Sequence, residues 1–217
     1  MYSENTKSKE QTNNRIFAIG LAASLLISAG CSMKPPAIGE MDQIVVLAED
    51  EVWNRVGFAI KEVYEREIIT PQPEKTFTIT RPPIERSSLY EKYHNLILIG
   101  TLDSDGLIGE VLNNNLTPEN RASVESGEKY AFQQRDLWAR SQYMLIIVAP
   151  TINDLIDKLT VNSDILYNLI DNSVNSLVKE RMYDRMEQVE ISKQIYDTHD
   201  FTLRIQHDYI LKEFPER

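Results

Sequence analysis

Apolar positions along this chain follow two periods. In Ile44-Val45-Val46-Leu47-Ala48, from Leu96 to Leu102 and from Tyr143 to Ala149 they run almost without interruption. Short β-branched runs of this kind are read as buried strands. Phe77-Thr78-Ile79-Thr80 alternates apolar with polar, as do Phe201, Leu203 and Ile205 between Thr202, Arg204 and Gln206. That period of two predicts strands with one face in solvent, and Tyr209 to Leu211 is placed to begin another.

The second period is helical. Val52, Val56, Ile60, Val63 and Tyr64 fall on one stripe with Trp53 beside them, Asp50 stands in the N-cap place, and Thr70-Pro71-Gln72-Pro73 ends the pattern because proline carries no N–H. Ile152, Leu155, Ile156 and Leu159 share a face behind Thr151 and Asp154, which read as an acidic capping box. A break at Asn162 and Ser163 leaves Asp164 to cap a longer helix, along which Leu166, Ile170, Val174, Leu177, Val178, Met182 and Met186 continue a stripe. Tyr130 to Arg140 is expected to be helical, Ile84 to Asn95 to hold a short helical turn, and Asn113 to Gly127 to be a long polar connection. This order predicts an α+β fold: a two-layer sandwich of the ferredoxin-like kind with long C-terminal helices. One domain over 42–217 is expected, with two small ones as the alternative.

The first thirty residues obey a different rule. Lys7, Lys9 and Arg15 precede an apolar run from Ile16 to Ile27, and Ser28-Ala29-Gly30 leads into Cys31, the one cysteine of the chain. Basic leader, short apolar segment and small residues make a secretory signal. The run is shorter than the roughly 20 residues that span a bilayer. Small residues before a lone cysteine resemble the lipobox of bacterial lipoproteins, in which the Cys thiol is joined to diacylglycerol before cleavage. Residues 1–30 are thus expected to be a lipoprotein signal peptide and Cys31 the lipidation site. Position 28 departs from the usual lipobox leucine. Residues 31–41, with Pro35-Pro36 and Gly39, are expected to be a lipidated tether.

Composition changes the picture in one respect. The leader removes three basic and two acidic residues from totals of 23 and 33, so the mature chain carries a net charge of −11. No Lys/Arg cluster stands out, and nucleic acid is excluded as a partner. His94, His199 and His207 lack the spacing of a metal pair, no Gly-x-Ser-x-Gly elbow or phosphate-binding glycine loop is present, and no metal or cofactor is expected. Asp103-Ser104-Asp105-Gly106 has the look of a calcium loop, but Thr101 and Leu112 stand where acids are needed. It reads as a turn into a short helix.

The segment Arg135-Asp136-Leu137-Trp138-Ala139-Arg140 with Gln142 gathers binding-prone side chains at the mouth of an apolar strand. Arg135, Asp136, Trp138, Arg140 and Gln142 are the candidate binding residues; the competing reading makes Trp138 core and pairs Asp136 with a neighbouring arginine. Together with Ile44 to Trp53 and Pro71-Gln72-Pro73-Glu74 with Phe77, this segment resembles an uncharacterised Bacteroidota lipoprotein family known only as a domain of unknown function. The resemblance implies a cell-envelope lipoprotein and transfers no activity. In that family a strand like Phe201 to Ile205 opens a further C-terminal portion, so the resemblance leaves a short or a truncated member. In such proteins early acids after the cysteine accompany surface export; none precedes Glu40, which favours the periplasmic face. The expected function is that of a membrane-anchored binding or interaction module with an envelope protein as a possible partner. An envelope hydrolase assembled from acidic residues distant in sequence is the alternative.

Overall fold

The structure is a computed structural model that describes residues 34–184 and 187–212, without the side chains of 113 and 115. The signal segment and Cys31 lie outside the described residues. The chain is α+β, with a mixed sheet and long C-terminal helices.

Strand β1 (Gln43–Leu47) leads into α1 (Asp50–Tyr64), a small antiparallel pair β2 (Glu67–Ile68) and β3 (Glu74–Lys75), and edge strand β4 (Thr78–Thr80). A 3-10 turn over Ile84–Leu89 precedes β5 (Asn95–Thr101), α2 (Gly106–Asn115), α3 (Pro118–Glu125), β6 (Ala131–Arg135) and β7 (Tyr143–Ala149). Helices α4 (Ile152–Val161) and α5 (Ser163–Lys179), a π-helical turn over Glu180–Asp184, and α6 (Val189–His199) complete the order. The sheet runs β4-β1-β5-β7-β6; its first four members are parallel, and β6 is antiparallel to β7.

All seven positions of β5 and of β7 are buried, which corrects the two-layer, ferredoxin-like expectation. Val46, Ile97, Ile99, Leu145 and Ile147 face a core completed by Val56 and Ile60 of α1, Leu155 and Leu159 of α4, and Leu166 and Ile170 of α5. Val45, Leu96, Leu98, Met144, Ile146 and Val148 face a second core with Ile108 and Leu112 of α2 and Val124 of α3. Helices therefore cover both faces, making three layers, and continuous apolar runs belong to parallel strands covered in this way.

Other local expectations change as well. Residues 131–135 form an edge strand where a helix was expected, because Ala131 and Phe132 pack on opposite cores. The polar connection holds α3, begun by Thr117, whose Oγ1 accepts from Asn120 N–H at 3.2 Å, and by Pro118 at the first helical position. Glu49, not Asp50, occupies the N-cap of α1, and Asp50 pairs with Arg81. Asn162 precedes α5 in the capping place, while Asp164 pairs with Arg66 at 2.8 Å. Phe201 to Ile205, where a strand is expected, pairs with no strand among the described residues. Two of its carbonyls are met from α6 and the residue before it: Ser192 Oγ donates to Leu203 O at 2.6 Å and Gln188 N–H to Ile205 O at 2.9 Å. The expected tether is laid on the domain from Pro35, with Arg140 N–H donating to Pro35 O at 2.8 Å and Ala37 N–H to Arg140 O at 2.9 Å.

Candidate functional site

The residues singled out in the sequence lie at the end of β6 (Arg135) and in the β6–β7 hairpin loop, at the amino-terminal edge of the parallel strands. The loop is pinched where Asp136 N–H donates to Gln142 O at 3.0 Å and Gln142 N–H to Asp136 Oδ1 at 3.2 Å, with Asp136 and Ser141 at positive φ. Asp tolerates that conformation better than most residues. Gln142 is buried and fully engaged: its Oε1 accepts from Trp138 N–H at 3.0 Å, and its Nε2 donates to the carbonyls of Tyr93, at 2.9 Å, and Glu91. It clamps the loop and has no polar atom left for a ligand.

Trp138 is half-buried against the second core. Arg135 stacks over the ring of Tyr143, 5.4 Å from its centroid. Burial pushes the Tyr143 hydroxyl up to about 12, against the opposing pull of the Arg135 charge, and among the described residues no group hydrogen-bonds that hydroxyl. Arg135, Asp136, Arg140 and Gln142 line a notch of about 330 Å³ with Ser173, Ser176 and Leu177 of α5 and Glu180. The structure thus brings four of the five sequence candidates together, and Trp138 does not line the notch. Buried His94 completes this edge; its Nδ1 lies 3.1 Å from Ser141 O and its Nε2 3.4 Å from Arg181 Nη2. A carbonyl cannot donate, so Nδ1 carries the proton and Nε2 accepts from Arg181.

The larger feature lies at the opposite edge. A cleft of about 830 Å³ opens where β1, β5 and β7 end at their carboxyl termini, lined by the first residues of α1, α2 and α4. The chain leaves β1 through α1 over one face and leaves β5 through α2 over the other. The crevice between two strands whose connections diverge in this way is the place where open α/β sheets hold ligands. Its shape follows from local chemistry. Thr101 N–H donates to Ser104 Oγ at 2.8 Å, Ser104 N–H donates back to Thr101 O at 3.1 Å, and Gly106 turns the chain at φ +75°. A Cβ on Gly109 would stand 2.0 Å from Ser104 O, so only glycine lets α2 press so closely on this loop. Leu102 N–H donates to Ala149 O at 3.1 Å and joins the ends of β5 and β7. On the far wall Thr151 Oγ1 caps α4, accepting from Asp154 N–H at 3.2 Å.

Among the described lining residues Glu49, Asp50, Glu51, Asp103 and Asp105 give the cleft five carboxylates, against Arg55 as the one cation. Acids at helix starts meet the positive ends of the helix dipoles, and Glu51 follows Asp50 in the first turn of α1. Arg81, beside the cleft, donates to Ala48 O at 3.0 Å and pairs with Asp50. Among the described residues no group of three or more His, Cys, Asp or Glu side chains is placed to hold a metal ion. Sequence reasoning missed this site: Glu49-Asp50-Glu51 and Asp103-Ser104-Asp105-Gly106 each follow an apolar strand, but only a parallel pairing of those strands brings the two loops together.

No curated protein and no solved structure matches the chain. Residues 37–183, from the pinned segment through the π-helical turn, match the family described as Domain of unknown function (DUF8532), and the chain belongs to that family.

Proposed function

We propose that this protein is a cell-envelope lipoprotein, anchored through acyl chains on Cys31 and facing the periplasm, whose domain binds a polar ligand in the cleft at the carboxyl edge of the sheet. The observation that carries the binding reading is that cleft: about 830 Å³ at the point where the connections of β1 and β5 diverge. Five carboxylates in the lining set its preference. They repel phosphorylated and other polyanionic molecules and favour neutral or amine-bearing ones. The anchoring reading rests on the order of basic leader, apolar run, small residues and Cys31.

Each half has its own test. Intact-mass analysis of membrane-extracted protein is expected to show acyl chains on wild type and none on Cys31→Ala, with the variant released from the membrane fraction. Unmodified wild type ends the anchoring reading. For the cleft, melts of the full chain are recorded with glucosamine, spermidine and glucose 6-phosphate. A ligand at 100 times its Kd stabilises by about 2.7 kcal/mol. Stabilisation by glucosamine or spermidine, abolished by Asp103→Lys at the exposed lip, supports the site. Stabilisation by the phosphate ester alone, or by any probe equally in Asp103→Lys, removes it.

A further inference from the structure

The anchor and the fold together fix which edge of the sheet meets the membrane. Residues Ser32 to Lys34 separate Cys31 from Pro35, and four residues reach at most about 14 Å when fully extended. From Pro35 onward the chain is fastened: Pro35 O accepts from Arg140 N–H, Ala37 N–H donates to Arg140 O, Ile38 N–H donates to Lys92 O at 2.9 Å, and His94 N–H donates to Ile38 O at 3.0 Å. All of these bonds lie at the amino-terminal edge of the parallel strands. An acyl group on Cys31 therefore holds this edge within about 14 Å of the bilayer surface.

The same edge carries the arginine notch. Arg135 and Arg140 are exposed, and among the described residues neither forms an ion pair with a carboxylate. Arg135 is held outward by its stacking on Tyr143, and Arg140 is fixed through the backbone bonds to the anchoring segment. Guanidinium groups pair with phosphate oxygens in bidentate geometry. Resting on the lipidated reading above, we infer that this edge is the membrane-docking face and that Arg135 and Arg140 engage the phosphates of anionic lipid headgroups. Asp136 and Glu180 share the notch, and the mature chain carries a net charge of −11, so the arginines orient the domain while the acyl chains supply the association. The acidic cleft, at the opposite edge of the sheet, is then held away from the anionic surface.

The test uses the lipidated full chain in vesicles. Acylation occupies Cys31, the only cysteine, so a single introduced thiol reports its own surroundings. Ser176→Cys places one on an exposed position lining the notch, and Asp103→Cys one at the lip of the cleft. In phosphatidylcholine vesicles containing phosphatidylglycerol, labelling of Ser176→Cys by a bulky water-soluble maleimide is expected to slow at least about tenfold relative to detergent, since each surface arginine contributes about fivefold. Labelling of Asp103→Cys is expected to keep its detergent rate. Adding Arg135→Gln and Arg140→Gln, or replacing phosphatidylglycerol by a cationic lipid, is expected to restore the Ser176→Cys rate. Equal rates at the two positions, equal protection without phosphatidylglycerol, or protection removed by millimolar inorganic phosphate would overturn the docking face. Mass analysis of the same samples separates the failures: absence of acyl chains overturns the anchor and the docking face together, and acyl chains without differential protection overturn the docking face alone.

Discussion

Gln142, Trp138 and Arg140 sit within five residues of one another and do three different things. Gln142 satisfies three backbone groups through one buried amide, Trp138 leans half-buried on the second core, and Arg140 projects into solvent. Truncating Trp138 to Ala is expected to lower stability by about 2 to 3 kcal/mol, below the roughly 3 to 5 of a fully buried tryptophan. Arg140→Ala should cost less than about 0.5 kcal/mol, as surface changes do. Chemical denaturation of both variants checks the contrast, and equal losses would contradict the placement of either side chain. Tyr143 makes the opposite case. Its buried hydroxyl has no partner among the described residues, and a buried unsatisfied group costs about 1 to 3 kcal/mol. Tyr143→Phe is therefore expected to raise the melting temperature or leave it unchanged. A fall of more than a few degrees would show that the hydroxyl is bonded.

Among the elements, those with a single unambiguous period were legible in the sequence. The stripe from Val52 to Tyr64 gives α1, Thr151 with Asp154 starts α4, and the break at Asn162 separates α4 from α5. Residues 131–135 were not legible as a strand, because five residues with two glutamines carry too little period and the strand exists only through its pairing with β7. Helix α5 gives way at Glu180–Asp184 to a π-helical turn although no glycine or proline stands there, and no local signal marks it. The candidate site divides in the same manner. The notch residues are close in sequence and could be read directly, whereas the cleft joins loops about fifty residues apart and depends on strand order. Helix α3 has a start signal of its own in Thr117-Pro118-Glu119, a capping threonine followed by proline at the first helical position. Its Thr117 cap supports a specific expectation: Thr117→Ala should cost about 1 kcal/mol, seen as a shift of about 2 to 4 °C in a melt. No shift would mean that α3 is held by Val124 in the second core alone.

Across the molecule, the buried members of both cores lie between 44 and 170, and the family match stops at 183. Helix α6 contributes one buried apolar residue, Ile195. It packs against the following segment, where Arg204 bonds Glu187 at 2.6 Å and stacks on Tyr183. Burial at about 25 cal/mol per Å² means that stability follows the area an element removes from water. Here Tyr196, Phe201, Leu203, Tyr209 and Ile210 remain 49 to 81% exposed. Ending the chain after Gln188 should therefore preserve a cooperative unfolding transition and lower the melting temperature by less than about 8 °C, equivalent to roughly 2 kcal/mol in a chain of this size. It should also reduce binding of an apolar dye, because the deletion removes these exposed apolar side chains. Calorimetry and dye titration of the shortened protein decide the matter. A broad, non-cooperative transition or increased dye binding would mean that α6 and the segment after it cover the domain instead of lying on its surface.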